Sequence, residues 1–258
     1  MIFFLIAFLA CLAGSICGMG GGVIIKPVLD ACAAGSVSQI NFLSGCTVLC
    51  MSGWSVGKAL AKRESLIDLR LSTWLALGAA AGGVLGKQSF SLLAGCFADA
   101  DRAGAVQAGI LLLATLVTFI YTRMREHLPT RHVQGAAPAL GIGFVLGFLG
   151  AFLGIGGGPL NVAALTYFFS MDMKTAAQNS LYIIVFSQAT GLAELLAVGG
   201  VPAISGGLLL GMALCGILGS EAGRRVNRHL SPDGVGTLLQ GLMVIIMGIS
   251  IYNIALHL

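Results

Sequence analysis

The sequence has little charge. Only 9% of its 258 residues are Asp, Glu, Lys or Arg, whereas 57% are hydrophobic and the mean hydropathy is +0.96. A soluble domain usually carries about a quarter charged residues, so this scarcity excludes an ordinary soluble protein. Apolar stretches of about 15 to 25 residues recur along the chain with only short polar segments between them. We therefore expect essentially the whole chain to lie in a lipid bilayer.

Two motifs that catalysis would require in a membrane protein are also missing. The seven cysteines include no C-x-x-C pair. This spacing is the usual motif of a thiol oxidoreductase and of many metal sites, so both are excluded. A rhomboid-like protease needs a G-x-S-G serine and a membrane-buried histidine. Ser44 instead follows Phe42-Leu43, and the four histidines lie in loops or near the C-terminus. We predict no enzyme activity, no cofactor and no metal site. We also predict no nucleic-acid partner, because the net charge of +4 comes from basic residues in short loops.

Alternating apolar and polar positions, the pattern of a membrane β-barrel, are also missing. Residues 108–121 and 238–251 are apolar on every face of a helix, so helices are expected. These runs predict six ordinary membrane spans. They also predict two segments that are interrupted in the middle, each of which has two shorter helical arms. The spans are residues 37–57, 71–95, 104–122, 175–198, 202–222 and 235–256, and the arms of the first interrupted segment are residues 1–17 and 21–34.

A glycine-rich motif interrupts the apolar sequence twice. Gly18-Met19-Gly20-Gly21-Gly22 recurs 136 residues later as Gly154-Ile155-Gly156-Gly157-Gly158, and the same shift aligns the polar Ser44 with Ser180. Polar residues at a fixed offset within apolar sequence indicate an internal repeat. Because the N-terminal segment takes part in it, we expect this segment to be retained rather than cleaved as a signal peptide. The predicted units are two membrane repeats in one integral membrane domain, residues 1–130 and 131–258.

The basic loops predict the topology. Cytoplasmic loops carry an excess of Lys and Arg, and three loops here are basic: 58–70, 123–132 and 224–229. If the interrupted segments crossed the membrane, the third loop would lie opposite the first two. If each forms a hairpin that returns to its starting face, all three share one face, opposite residues 98–102 and 198–202.

The predicted fold is therefore an all-α polytopic membrane protein. It consists of two inverted-topology repeats of five helical segments, each beginning with a glycine-broken helical hairpin. The three basic loops are expected to be cytoplasmic, in a bacterial inner membrane, and the N-terminus is expected outside.

The two glycine breaks predict a transport site. A non-helical turn at membrane depth is tolerated only where protein or water surrounds it, and paired breaks in inverted repeats are typical of secondary transporters. The helix that starts after each break presents free N–H groups and a positive dipole end, which favours an anion. The predicted substrate-binding residues lie in the breaks or follow them. They are Gly20, Gly21, Gly22, Lys26, Asn41, Ser44, Thr47, Gly156, Gly157, Gly158, Asn161, Gln178, Asn179 and Ser180.

Other interpretations of single residues remain open. Lys26 either adds a positive charge to the anion pocket or extends to a lipid headgroup or to Asp30, four residues on. The serines and threonines either line the pocket or bond to their own helix carbonyls and support packing. Glu194 either carries a coupling proton or is solvated at the end of its span.

The duplicated motif is similar to that of a known family. G-M-G-G-G and G-I-G-G-G, each followed by a helix and then a small polar cluster, resemble the sulfite exporter TauE/SafE family of membrane permeases over the whole chain. The resemblance implies transport of a small anion, often containing sulfur, such as sulfite, a sulfonate such as sulfoacetate, or thiosulfate. Two features depart from the family pattern: Lys26 replaces an aliphatic residue, and Ala177-Gln178-Asn179-Ser180 replaces a small residue followed by Gly-Thr-Ser.

The expected partners are a small anionic substrate and the lipid bilayer, with a homodimer left open. A passive anion channel and a permease for a small carboxylate are the alternative functions, because the repeat is compatible with each of them.

Overall fold

The computed structural model describes residues 2–32, 35–62, 65–95 and 100–257. Arg63 of the first basic loop and residues 98 and 99 of the loop after the fourth helix lie outside these ranges. The described residues form ten α-helices and one short 3₁₀ turn, with no strand among them, which confirms the predicted all-α class. The helices are α1 (Ile2–Cys17), α2 (Gly22–Ala31), α3 (Val37–Ala61), α4 (Leu69–Gly95), α5 (Ala100–Met124), α6 (Ala136–Phe152), α7 (Gly158–Phe169), α8 (Met173–Ala197), α9 (Gly206–His229) and α10 (Pro232–His257).

Helix length separates the hairpin arms from the other helices. Five of the described helices are long and apolar enough to cross a membrane: α4, α5, α8, α9 and α10. Helix α3 has 25 residues, about 37 Å at 1.5 Å per residue, but it is not among those five. The first arms, α1 and α6, have 16 and 17 residues, and the second arms, α2 and α7, have 10 and 12.

Local sequence signals fix several helix starts. The hydroxyl of Ser36 accepts a hydrogen bond from the Gln39 backbone, and the Gln39 side chain accepts one from the Ser36 backbone, which forms a capping box before α3. Asp172 caps α8 by accepting from the backbone N–H groups of Lys174 and Thr175. Pro159 lies in the first turn of α7, where the missing N–H costs nothing.

The helices pair in a way that is preserved when the two halves are exchanged. Helix α1 packs along α9, and its counterpart α6 packs along α4, the counterpart of α9; α3 packs on α8 and α5 on α10. Glycines allow both main contacts to be close. A Cβ built on Gly219 would lie 2.3 Å from the Phe8 carbonyl oxygen, and one on Gly147 would lie 2.1 Å from that of Ala79. Such a pairing is expected of two related repeats, and the inverted repeat itself stays a prediction.

The second arms of the hairpins run towards opposite ends of α5. Lys26 of α2 contacts Gln107, near the start of α5, whereas Thr166 of α7 lies 3.3 Å from the hydroxyl of Tyr121, near its end. Because α2 and α7 begin close together, they point in opposite directions. This is the geometry that inverted hairpins need, and the orientation of each half in a bilayer stays a prediction.

Contacts at one end of the bundle bring the basic loops together. Arg125 forms an ion pair of 2.7 Å with Asp233, which joins the loop after α5 to the start of α10. Ala59 and Leu66 of the first basic segment line one cavity with Arg228 of the third, which the structure places in the last turn of α9 rather than in a loop. The cytoplasmic location of this end stays a prediction.

Candidate substrate site at the paired glycine turns

Each hairpin turns on glycines in left-handed backbone conformations. The φ angles are 72° at Gly18 and 68° at Gly20 in the first turn, and 67°, 74° and 123° at Gly154, Gly156 and Gly157 in the second. L-residues with a side chain rarely adopt these angles. The glycines are therefore required by the backbone of the turns, as the motif predicted.

The two turns contact each other directly. A Cβ built on Gly22 would lie 3.0 Å from the carbonyl oxygen of Ile155, and one on Gly158 would lie 2.7 Å from Cγ2 of Val23. Val23 and Ile155 also belong to one buried cluster together with Met19 and Leu153. The turns of the two halves thus meet inside the protein, and the first residues of α2 and α7 face the same region.

Lys26 links the first half to the second turn. The residue is only 4% exposed, and Nζ donates to Oε1 of Gln107 and, over 3.2 Å, to the carbonyl oxygen of Leu153. Leu153 is the C-terminal capping residue of α6, where the helix dipole is negative. The ammonium group therefore lies beside a helix C-terminus within the protein, rather than among lipid headgroups.

Three predicted site residues carry buried polar atoms without a hydrogen-bond partner. These atoms are Oδ1 of Asn41, Oδ1 of Asn161 and Oγ of Ser180. A Cβ built on Gly154 would lie 3.0 Å from the Asn41 oxygen, and one on Gly157 would lie 2.4 Å from Nδ2 of Asn161, so both amides lie at the second turn. Unpaired buried polar groups are costly and need an explanation. An amide flip would present Nδ2 as a donor in place of Oδ1.

Other predicted site residues are held by structural hydrogen bonds. Thr47 donates to the carbonyl of Leu43 over 2.7 Å, the bond expected of a threonine that supports its own helix. Asn179 accepts from the hydroxyl of Ser72 over 2.5 Å and from the backbone of Asp68 over 2.9 Å, and so anchors the segment before α4.

Ser44 and Gln178 lie in different surroundings. Ser44 lies near the first turn, because a Cβ on Gly22 would be 3.3 Å from its Oγ. Gln178 accepts from the backbone of Leu66 over 3.1 Å and lines a cavity closer to the basic loops. The structure therefore brings Lys26, Asn41, Ser44 and Asn161 to the glycine turns and leaves Gln178 outside that group.

Sequence reasoning missed two glutamines at the second turn. Nε2 of Gln107 donates over 2.6 Å to the carbonyl oxygen of Phe152 in the other half. Gln188 approaches the backbone at Gly156, where a built Cβ would lie 2.1 Å from its Nε2. The position of Gln188, a polar residue in the middle of the apolar α8 sequence, was the signal that could have identified it as a site residue. Glu194, three residues before the end of α8, accepts over 3.0 Å from Gln88.

A cavity lies next to the first turn, on the side of the basic loops. Its volume is about 270 Å³, and its polar lining comes from Ser15, Ser55, Lys174, Gln178, Arg224, Asn227 and Arg228. Ala177 forms part of its wall and also touches the first turn, because a Cβ on Gly18 would lie 2.2 Å from the Ala177 Cα.

These features define a multi-pass helical membrane protein in which two glycine-broken hairpins meet. The sequence model of the family "Sulfite exporter TauE/SafE" matches residues 3–251, and the chain belongs to that family of membrane transporters. The chain is also similar to the "Probable membrane transporter protein YunE" of Bacillus subtilis (strain 168). The two are 25% identical over 273 aligned positions, which cover 95% of each chain. None of the solved structures compared with the chain matches it.

Proposed function

We propose that this transporter is a secondary permease for a small anion, and that the anion binds near the bilayer midplane between the two glycine-turn hairpins. The observation that carries the proposal is the contact between the two turns, each of which precedes a helix N-terminus. The first N–H groups of α2 and α7 have no acceptor within their own helices, and the positive ends of both dipoles point to one region. Such a region favours a negatively charged ligand.

The side chains at the turns support the same chemistry. Lys26 supplies a full positive charge, and the amides of Asn41 and Asn161 supply buried polar groups that a ligand can satisfy. Because Gly22 and Ile155 are in contact, an anion enters this site only when the turns separate. Separation of the two halves around a fixed midplane site is the motion expected of an inverted-repeat transporter.

We propose a sulfur-containing substrate of the sulfite, sulfonate or thiosulfate class. The basis for this choice is family membership, since the family is described as a sulfite exporter. The purified protein would be screened by thermal shift against sulfite, thiosulfate, sulfate, sulfoacetate and small carboxylates. Stabilisation by a sulfur oxyanion or sulfonate is expected. Stabilisation by carboxylates alone would indicate a carboxylate permease instead. The absence of stabilisation by any sulfur compound would overturn the proposed substrate class.

Flux into liposomes distinguishes a carrier from a channel. The reconstituted protein is expected to show saturable sulfite uptake that changes with an imposed pH gradient. Flux that rises linearly with sulfite concentration and shows no exchange would instead establish a passive anion channel.

Gly22→Ala tests the location of the site. The added methyl group would press on the Ile155 carbonyl oxygen at 3.0 Å, at the point where the two halves meet. Gly53→Ala is a matched control, because a Cβ at this position in α3 meets no atom within 4 Å. We expect Gly22→Ala to reduce flux at least tenfold and Gly53→Ala to leave it within twofold. Equal flux in the two variants would exclude the turn contact from the transport path.

A further inference from the structure

The cavity next to the first turn is a second polar site, separate from the contact between the glycine turns. It lies between α1, α3, α8 and α9 and has a volume of about 270 Å³. A water molecule occupies roughly 30 Å³ in the liquid, and sites for drug-sized ligands usually begin at about 300 Å³. The cavity therefore suits a small hydrated ion rather than a large organic molecule.

Its lining is positively charged. Lys174, Arg224 and Arg228 all contribute to the wall, and no carboxylate lies among its described lining residues. Lys174 is held there by the start of α8, where its backbone N–H donates to Asp172 over 2.9 Å. The ion pair with Glu221 balances part of the Arg224 charge, and the three side chains together leave this small polar space positively charged, which attracts anions.

Arg224 has an unused donor in this arrangement. Its Nη2 bonds both oxygens of Glu221, at 2.9 and 3.0 Å, whereas Nε is buried and has no hydrogen-bond partner in the structure. A guanidinium group donates in a fixed fork that matches the oxygens of an oxyanion. Asn227 also lines the cavity, but it is occupied because Nδ2 donates to the Ile16 carbonyl over 2.6 Å. Arg224 therefore keeps one donor that no hydrogen bond in the structure uses.

We infer that this cavity is an oxyanion-binding vestibule on the basic-loop side, in which Lys174 and Arg224 bind the anion before or after it passes the first glycine turn. The inference rests on the proposed function only for its choice of probes and for the link to the turn. That link is the contact of Ala177 with Gly18, which places the vestibule directly against the turn. The ligand class is a small sulfur oxyanion or sulfonate.

The test is direct binding, measured by isothermal titration of delipidated protein in detergent with sulfite and with sulfoacetate at low ionic strength. Arg224→Gln is compared with Arg225→Gln, because Arg225 also bonds Glu221, over 3.3 Å, but does not line the cavity. Lys174→Gln is compared with Lys58→Gln, whose ammonium group lies over the Trp54 ring outside the cavity. Circular dichroism and gel filtration confirm that each variant is folded.

We expect Arg224→Gln and Lys174→Gln each to weaken binding at least tenfold, and the two control variants to change it less than twofold. Added salt should weaken wild-type binding, because salt screens the attraction between the cationic side chains and the anion. Equal losses in Arg224→Gln and Arg225→Gln, or no loss in Lys174→Gln, would overturn the vestibule. The absence of sulfite and sulfoacetate binding by the wild type would do the same.

Two further arms separate this inference from its rivals. A lipid phosphate has the same oxyanion chemistry, so dihexanoyl phosphatidylglycerol is titrated in parallel. Lipid binding that is tighter than sulfite binding and depends on Arg224 would overturn the assignment to a free anion. Flux is measured on the same variants. Anion flux without anion binding in the vestibule would refute only this inference. Anion binding that depends on Arg224, in a protein that shows no flux, would refute only the proposed transport function.

Discussion

Replacing Lys26 with Met tests whether the link between the halves stabilises the protein. Methionine keeps the unbranched shape of the side chain but removes the charge and its donors. Two buried acceptors then lose their partner: Oε1 of Gln107 and the carbonyl oxygen of Leu153. An unsatisfied buried group costs about 1 to 3 kcal/mol, so two cost about 2 to 6 kcal/mol. Relief from burying the ammonium group offsets part of this cost, and the expected net loss is about 2 to 4 kcal/mol.

The assay is reversible unfolding in detergent, with Lys58→Met as the matched control. The Lys58 ammonium lies 4.9 Å from the Trp54 ring centroid, and an exposed contact of this kind contributes about 0.5 to 1 kcal/mol. The Lys58 variant is therefore expected to lose less than about 1 kcal/mol. A second readout is sulfite binding, which Lys26→Ala is expected to weaken much more than Lys58→Ala.

A double-mutant cycle with Gln107→Leu isolates the contact itself. The double variant no longer contains Oε1 of Gln107, the acceptor that Lys26→Met alone leaves unpaired, so it should lose at least about 1 kcal/mol less than the sum of the single losses. The reasoning is refuted if Lys26→Met is as stable as the wild type, or if the two changes add to within about 0.5 kcal/mol.

Three further predictions concern the turns, a helix cap and the topology. Gly18→Ala should lower the free energy of unfolding by at least about 2 kcal/mol, because φ is +72° and the added methyl group meets the backbone of α8. Gly53→Ala should raise it by up to about 1 kcal/mol. Equal unfolding midpoints for the two variants would contradict the turn geometry. Asp172→Ala should cost α8 about 1 kcal/mol and Asp172→Ser much less. Burial opposes its charge, but hydrogen bonds from a hydroxyl and two N–H groups lower the pKa of Asp172. Its contribution should therefore be full above the ordinary carboxyl pKa of about 3.9 and lost as the pH falls through the lower folded-state pKa, and pH-dependent melting identical in the wild type and the alanine variant would exclude it. Impermeant labelling of engineered single cysteines should place residues 198–202 and 224–229 on opposite faces of the membrane, and labelling from the same face would contradict the inverted topology.

The sequence predicted the helices well because their signals are local. Apolar runs with short polar breaks set the spans, and the observed α3, α4 and α5 begin and end within about four residues of the predicted 37–57, 71–95 and 104–122. The predicted end at residue 222 was wrong for α9, which continues to His229 through the basic segment that was expected to be a loop. The glycine motifs predicted both breaks because a positive φ restricts the residue type at each turn. The capping box at Ser36 and Gln39 is equally local.

The composition of the site could be predicted only in part. The turn glycines, Asn41 and Asn161 were expected there and lie there, whereas Asn179 anchors the segment before α4 and Gln178 lines the vestibule. Residues 178 and 179 are neighbours in the chain, but they point to different sides of a helix, and no repeat alignment specifies which side faces the turns.

By itself, the sequence determined that the protein is a helical membrane protein, where its helices lie, and that its two halves share a break. These properties depend on hydropathy and on backbone conformations, which act over a few residues. Only the tertiary structure decided that Lys26 caps the end of α6 in the other half, that Gln107 and Gln188 approach the second turn, and that Lys174 and Arg224 share one cavity. These contacts join residues far apart in the chain, and their partners are set by how the two halves pack, which no local pattern encodes.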